Sequence, residues 1–210
     1  MLAVAADAIR IWQNEGAGVF TETLHLSGEI AYIGKPGGID CAVGDINNDG
    51  RQDALIAYAS LSPQIFFNRG YRSFGHARTL DLAQRQLLTA AEQGQQSACL
   101  ADLDGDGAQN MVLALNNGEM WVFYRENEDR EARSVTAVLP VGGPEPGPLA
   151  ITGWIGERCL GAWNVWPGGS PAFFGRREAG PVTLKWRIPD GKERGREIVV
   201  ENGTVRAELK

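Results

Sequence analysis

Apolar residues alternate with polar ones over short stretches that are separated by glycine, proline, asparagine and aspartate. Val182, Leu184 and Trp186 occupy every second position, and residues 205–209 show the same alternation after Asn202-Gly203. Alternation with a period of two is typical of β-strands with one buried face, and Asn-Gly is a frequent turn signal. The 27 glycines and 10 prolines agree with many turns. The pattern predicts an all-β fold made of short strands.

The chain contains an internal repeat with an offset of 57 residues. Residues 44–53 read GDINNDGRQD and are followed by the apolar stretch 54–58, whereas residues 101–110 read ADLDGDGAQN and are followed by the apolar stretch 111–115. Each copy predicts a polar loop, a strand, a turn and a second strand. For the second strand we align residues 65–67 with residues 121–123, with one residue fewer in the turn of the second copy.

A partial third copy opens the chain. Residues 11–16 resemble residues 65–70, and Phe20 aligns with Phe74. Residues 2–5 are then expected to form the strand that follows a polar loop in the other copies. We therefore expect the chain to begin inside a repeat unit.

The two polar loops have the side chains that a calcium ion prefers. Oxygen-bearing residues stand at alternate positions, and a glycine then permits a sharp turn, so that a short loop can wrap six to eight oxygens around one ion. The predicted ligands of the first loop are Asp45, Asn47, Asp49, the carbonyl of Arg51, and Asp53; those of the second loop are Asp102, Asp104, Asp106, the carbonyl of Ala108, and Asn110.

An EF-hand loop and an acidic turn share sequence features with these loops. An EF-hand requires a bidentate glutamate at the twelfth position, where this chain has Ile56 and Leu113 within strand-like stretches, so an EF-hand is excluded. An acidic turn held by Asx hydrogen bonds stays open as the alternative. The repetition of the motif in register favours calcium, because crowded carboxylates repel each other unless a cation neutralises them.

Composition narrows the classes of function. The net charge of −6 and the pI of about 5.0 argue against a nucleic-acid partner, which needs clustered basic residues. No apolar run is long enough to span a membrane, and the start of the chain lacks the charged region of a signal peptide. We expect Cys41, Cys99 and Cys159 to be buried small apolar residues and not a disulfide framework or zinc site. No catalytic residues are predicted.

The loops and the strands that follow them resemble the FG-GAP/VCBS repeats, the calcium-loop blades of integrin-α-like β-propellers. The C-terminal part is similar to an ASPIC/UnbV-type segment in residues 160–162, 173–175 and 181–191. The resemblance implies a partial β-propeller over residues 1–140 and a small β domain over residues 149–210. Residues 141–148, rich in proline and glycine, form the predicted linker, and the polar residues 81–96 are predicted to be a short surface helix or an irregular insertion.

The resemblance also implies a function. We expect a calcium-binding, non-enzymatic module for binding, adhesion or scaffolding, extracellular or periplasmic, with a protein or glycan partner and with the rest of a larger propeller. The alternative is the accessory region of a secreted polysaccharide-active enzyme, which would require a pair of catalytic carboxylates. Most acidic residues that stand close together lie in the two loops, where they are assigned to metal.

Overall fold

The computed structural model describes residues 2–4, 9–22, 37–59, 61–70, 73–79, 94–125, 132–143, 147–188 and 191–209. All regular secondary structure in these residues is β, which confirms the predicted fold class. Most of the predicted insertion at 81–96, together with His25, Pro189 and Asp190, lies outside the described residues. None of the described residues form a helix with the length and hydrophobicity needed to cross a bilayer.

The N-terminal strands form three sheets. The first contains β1 (Leu2–Val4), β2 (Ile9–Gly16) and β3 (Val19–Glu22). The second contains β4 (Gly38–Gly44), β5 (Asp53–Tyr58), β6 (Gln64–Gly70) and β7 (Ser73–Thr79) in that order. The third contains β8 (Gln95–Ala101), β9 (Asn110–Leu115) and β10 (Met120–Phe123). Strands β5 and β9 directly follow the two polar loops, as the repeat predicts.

The partial copy at the start of the chain has the same strand register as the full repeat. Asn14 pairs with Phe20 and Gly16 with Val19, across a β-bulge. Asn68 pairs with Phe74 and Gly70 with Ser73, across an equivalent bulge. The alignment of this partial copy is therefore confirmed at the level of individual residue pairs.

The alignment of the strand after the turn is wrong by one residue. Leu55 pairs with Ile65 in one copy, and Val112 pairs with Val122 in the other, so the offset of 57 residues persists through the turn. Residues 121–123 correspond to residues 64–66 and not to 65–67, and the second turn has lost no residue. The prediction matched apolar and aromatic side chains by type, but a shift of one residue moves every side chain to the opposite face of the sheet.

The C-terminal strands form two further sheets. The first sheet has β11 (Arg133–Val138) in the centre, antiparallel to β14 (Ala172–Arg176) and parallel to β17 (Gly203–Glu208). The second sheet has the order β13 (Arg158–Val165), β12 (Leu149–Ile155), β15 (Gly180–Arg187) and β16 (Glu193–Val200), with antiparallel neighbours. The predicted alternation is confirmed at Val182, Leu184 and Trp186, which are all buried.

Both C-terminal sheets contribute to one hydrophobic core. Its buried members include Val135 from β11, Ile151 from β12, Phe174 from β14 and Leu184 from β15. Gly153 on β12 lies against the ring of Phe174 with no space for a side chain. Burial of such side chains stabilises a fold by about 1.5 to 3 kcal/mol each.

The prediction of buried cysteines is wrong for two of the three. Cys99 and Cys159 are exposed, because their neighbours Ala98 and Leu160 take the inward-facing positions of β8 and β13. Cys41 is half-buried. Burial, with the charge of Asp40 as a smaller cause, raises the pKa of its thiol.

Contacts between residues divide the chain into two compact units that interleave along the sequence. The first unit comprises Met1–Val43, Asp53–Ala101 and Met111–Phe123, and the second comprises Gly44–Gln52, Asp102–Asn110 and Tyr124–Lys210. The residues of both polar loops, apart from Asp53, therefore belong to the unit that contains the C-terminal sheets.

Candidate metal loops

The two loops have the same backbone conformation at their fourth and sixth positions. In the first loop Asn48 has φ 55° and Gly50 has φ 77°, and in the second loop Gly105 has φ 76° and Gly107 has φ 93°. Glycine adopts this left-handed region readily and asparagine tolerates it better than most residues. The repeat seen in the sequence is thus also a repeat of loop geometry.

The second loop brings three carboxylates together. Oxygens of Asp102, Asp104 and Asp106 all lie within 4.8 Å of one another. Two oxygens bound to one calcium ion on opposite sides are separated by about 5 Å, so these three can reach the same ion. This is the one such acidic group among the described residues. The hard oxygen donors and their spacing fit a calcium ion.

Hydrogen bonds from the backbone of the second loop hold two of these three carboxylates. Asp102 Oδ1 accepts from Gly105 N at 2.8 Å, and its Oδ2 accepts from Gly107 N at 3.1 Å and from the hydroxyl of Thr204. Asp106 Oδ1 accepts from Ala108 N at 2.7 Å. Asp102 and Asp106 are thus oriented by the backbone of their own loop.

The crowding of carboxylates in the second loop affects the pKa of Asp106. Burial raises the pKa of its carboxyl above the ordinary value, and the charges of Asp104 and Asp102 raise it further. The hydrogen bond from Ala108 and the charge of Arg125 act in the opposite direction. A raised carboxyl pKa means that the folded loop disfavours the negative charge, which a bound cation would neutralise.

Asn110, the predicted closing ligand of the second loop, makes a hydrogen bond within that loop. Asn110 is fully buried, and its Oδ1 accepts from Leu103 N at 2.8 Å. Its Nδ2 has no hydrogen-bond partner among the described residues. Ala108, the predicted carbonyl ligand, is fully buried.

The first loop is arranged differently. Asp45 is fully buried, its Oδ1 accepts from Asp49 N at 3.0 Å and its Oδ2 accepts from Gly50 N at 2.8 Å. Asn47 Oδ1 also accepts from Asp49 N, at 3.0 Å. Asp53 begins strand β5 in the first unit, where its Oδ1 accepts from Asn68 N at 2.8 Å. Within residues 44–52 this loop therefore has two carboxylates where the second has three.

Arginines contact the first loop from several directions. Arg51 Nη1 lies 3.1 Å from Asp49 Oδ2. Arg125 donates to the carbonyl of Ile46, Arg158 to that of Asp49 and Arg177 to that of Asn47, at 3.2 Å in the last case. These guanidinium groups supply positive charge near Asp45 and Asp49. Arg125, Arg158 and Arg177 could not be predicted from the repeat, because their positions have no relation to it.

One glycine permits the close approach of a C-terminal strand to the first loop. A side chain at Gly175 on β14 would collide with the carboxylate of Asp45 and the amide of Asn48. Gly175 ends the Phe-Phe-Gly stretch at residues 173–175. The residue is required by packing, because a Cβ has no space there.

Comparison with known families agrees with the geometry of the loops. Residues 45–113 match the model of the FG-GAP-like repeat. The match begins at Asp45 in the first loop and ends within β9 after the second loop. This segment is therefore an FG-GAP-like repeat, and such repeats are consistent with blades of a β-propeller. No curated protein matches the chain significantly.

Proposed function

We propose that the chain is a calcium-binding β-propeller repeat protein that acts as a non-enzymatic binding, adhesion or scaffold module. The observation that supports this proposal best is the convergence of the Asp102, Asp104 and Asp106 oxygens in a loop of an FG-GAP-like repeat. Calcium accepts a flexible set of carboxylate and carbonyl oxygens, whereas magnesium demands a nearly ideal octahedron and retains several waters.

In this proposal the second loop binds calcium more tightly than the first. Three carboxylates attract a dication more strongly than two carboxylates of which one faces Arg51. The first loop would use Asp45, Asn47 and Asp49, with the carbonyl of Arg51 and the carboxylate of Asp53 as the ligands expected from the sequence.

Calcium would have a structural role here. The ligands lie on loops that also make hydrogen bonds to the C-terminal sheets, for example from Thr204 to Asp102. An ion that binds only the folded loops stabilises the fold by mass action, by about 2.7 kcal/mol when its concentration is 100 times the Kd. Extracellular or periplasmic calcium would suit sites of moderate affinity, and we propose that location for the protein.

The C-terminal sheets would form the ASPIC/UnbV-like part of the protein. The residues that suggest it include Phe173, Phe174 and Gly175, and the structure gives them packing roles in β14. The partner of the module would be a protein or a glycan. We propose no catalytic role, because the carboxylates that lie close together in the second loop would be occupied by the ion.

Calorimetric titration of the full chain with calcium tests the proposal. We expect two sites, of which Asp106→Asn removes the tighter and Asp49→Asn the weaker. Glu197→Gln changes an exposed acidic residue on β16 and serves as the control that retains both sites. Absence of binding heat, with the same melting temperature in calcium and in chelator, would contradict the proposal.

A further inference from the structure

Asn48 differs from its counterpart in the second loop in a way that the backbone does not require. Both residues have a left-handed φ, yet the second loop uses Gly105, around which an added Cβ would meet no other atom within 4 Å. Glycine would therefore satisfy the conformation of the first loop as well. The side chain of Asn48 needs a separate explanation.

That side chain is completely buried and connects the two loops. Asn48 Nδ2 donates to the carbonyl of Gly107 at 2.7 Å and to the carbonyl of Arg133 at 2.9 Å. Asn48 Oδ1 accepts from Arg125 Nη1 at 2.6 Å. One amide thus joins the fourth position of the first loop to the sixth position of the second loop.

The connection reaches the candidate ligands on both sides. Gly107, whose carbonyl Asn48 holds, donates its N–H to Asp102 Oδ2 at 3.1 Å. Asn48 itself lies between Asn47 and Asp49 in the chain, and Asp49 N donates to both Asp45 and Asn47. A change in the conformation of either loop therefore alters the hydrogen bonds that orient ligands in the other.

We propose that Asn48 couples the two loops, so that a divalent cation in one loop raises the affinity of the other. This inference depends on the proposed calcium binding. An ion that orders one loop fixes the Asn48 to Gly107 hydrogen bond, and the second ion then binds a loop whose conformational entropy has already been reduced. Asn48 is a positioning residue, since it orients ligands without being one.

A thermodynamic cycle measures the coupling. Calcium titrations of the full chain give the affinity of the first loop with the second loop intact and with the second loop disabled by Asp106→Asn. We expect this affinity to fall by about fivefold or more when the second loop is disabled. The Asn48→Gly background keeps the left-handed conformation accessible. In that background, disabling the second loop should change the calcium affinity of the first loop by less than about twofold.

Two additional measurements serve as controls for misfolding and nonspecific effects. Asp49→Asn disables the first loop. It must lower the calcium affinity of the second loop by the same factor by which Asp106→Asn lowers that of the first, because coupling is reciprocal. Asn117→Gly removes an exposed turn asparagine whose Oδ1 accepts from Glu119 N, and it should leave the coupling unchanged.

The outcomes separate this inference from the proposed function. Absence of calcium binding by the unmodified chain would overturn both. Two sites with affinities that do not depend on each other would overturn the inference alone. Coupling that persists in Asn48→Gly would also overturn it, because the link would then lie in other residues.

Discussion

The hydroxyl of Thr204 donates a hydrogen bond to Oδ2 of Asp102, although the two residues are 102 positions apart in the chain. Thr204 lies on β17, and Asp102 is the first candidate ligand of the second loop. Thr204 Oγ1 is also 2.7 Å from Ser134 Oγ on the neighbouring strand β11. The loop is thus held by the C-terminal sheet as well as by its own backbone.

Replacement of Thr204 by valine should destabilise the second unit in the absence of metal. The substitution keeps the β-branched shape but removes the donor to a charged carboxylate, which costs about 1.5 to 3 kcal/mol. Urea unfolding in chelator measures the change. Thr183→Val is the matched control, since Thr183 is a half-buried strand residue on β15. Equal stability of the two variants would contradict the prediction.

Gly175→Ala should destabilise the protein because its Cβ would overlap the carboxylate of Asp45. Overpacking of a buried contact typically costs about 1 to 3 kcal/mol. Gly195→Ala on β16 is the control, because a Cβ there would approach Leu184 O at 3.5 Å, an ordinary contact. The urea midpoint should fall for Gly175→Ala and stay nearly constant for Gly195→Ala. A constant midpoint in both variants would show that the loop moves away without cost.

Much of the fold is readable from the sequence because it rests on local signals. The loop glycines, the alternation at Val182, Leu184 and Trp186, and the bulged pairing of Asn14 with Phe20 all follow from residue type and spacing. The register of β10 is not readable in this way, since side chains of similar character occur at adjacent positions of β6.

The contacts of the candidate site are less predictable. The motif indicates which aspartates gather in the second loop, and the structure places Asp102, Asp104 and Asp106 together. It gives no information about Arg125, Arg158 and Arg177, which contact the first loop from distant parts of the chain. Such contacts depend on how the sheets pack, which is not encoded in the spacing of a single motif.

Arg51→Gln should increase the calcium affinity of the first loop. Arg51 places a positive charge 3.1 Å from Asp49 Oδ2, one of the proposed ligand atoms, and a dication must compete with it. The side chain of Arg51 is 39% exposed, so solvent screens the effect and we expect a change of about two- to fivefold that decreases at high salt. Calorimetry in the Asp106→Asn background isolates the first loop.

The control for this prediction is Arg187→Gln, which removes an exposed arginine that lies 3.8 Å from Glu193. It should leave the affinity of both loops unchanged. A decrease of affinity in Arg51→Gln would show that Arg51 orients Asp49 for the ion and does not compete with it.

Calcium binding by the second loop should weaken as the pH falls through the raised pKa of Asp106. Burial is the main cause of that raised pKa, and the carboxylates of Asp104 and Asp102 add to it. In the metal-free protein the ionised form of Asp106 is therefore less favourable in the folded than in the unfolded chain. Its contribution to stability decreases as the pH rises from the ordinary carboxyl value of 3.8 through the raised value.

Calcium reverses this balance, because it binds the carboxylate and must displace any proton held by Asp106. Titrations in the Asp49→Asn background, in buffers with different ionisation enthalpies, measure both the affinity and the protons released. We expect proton release at pH values near the raised pKa of Asp106, and this release should decrease as the pH rises above that pKa. Titrations of the first loop in the Asp106→Asn background show how much of the pH dependence belongs to the other carboxylates. If the second loop kept the same calcium affinity down to pH 3.8, Asp106 would not be a ligand.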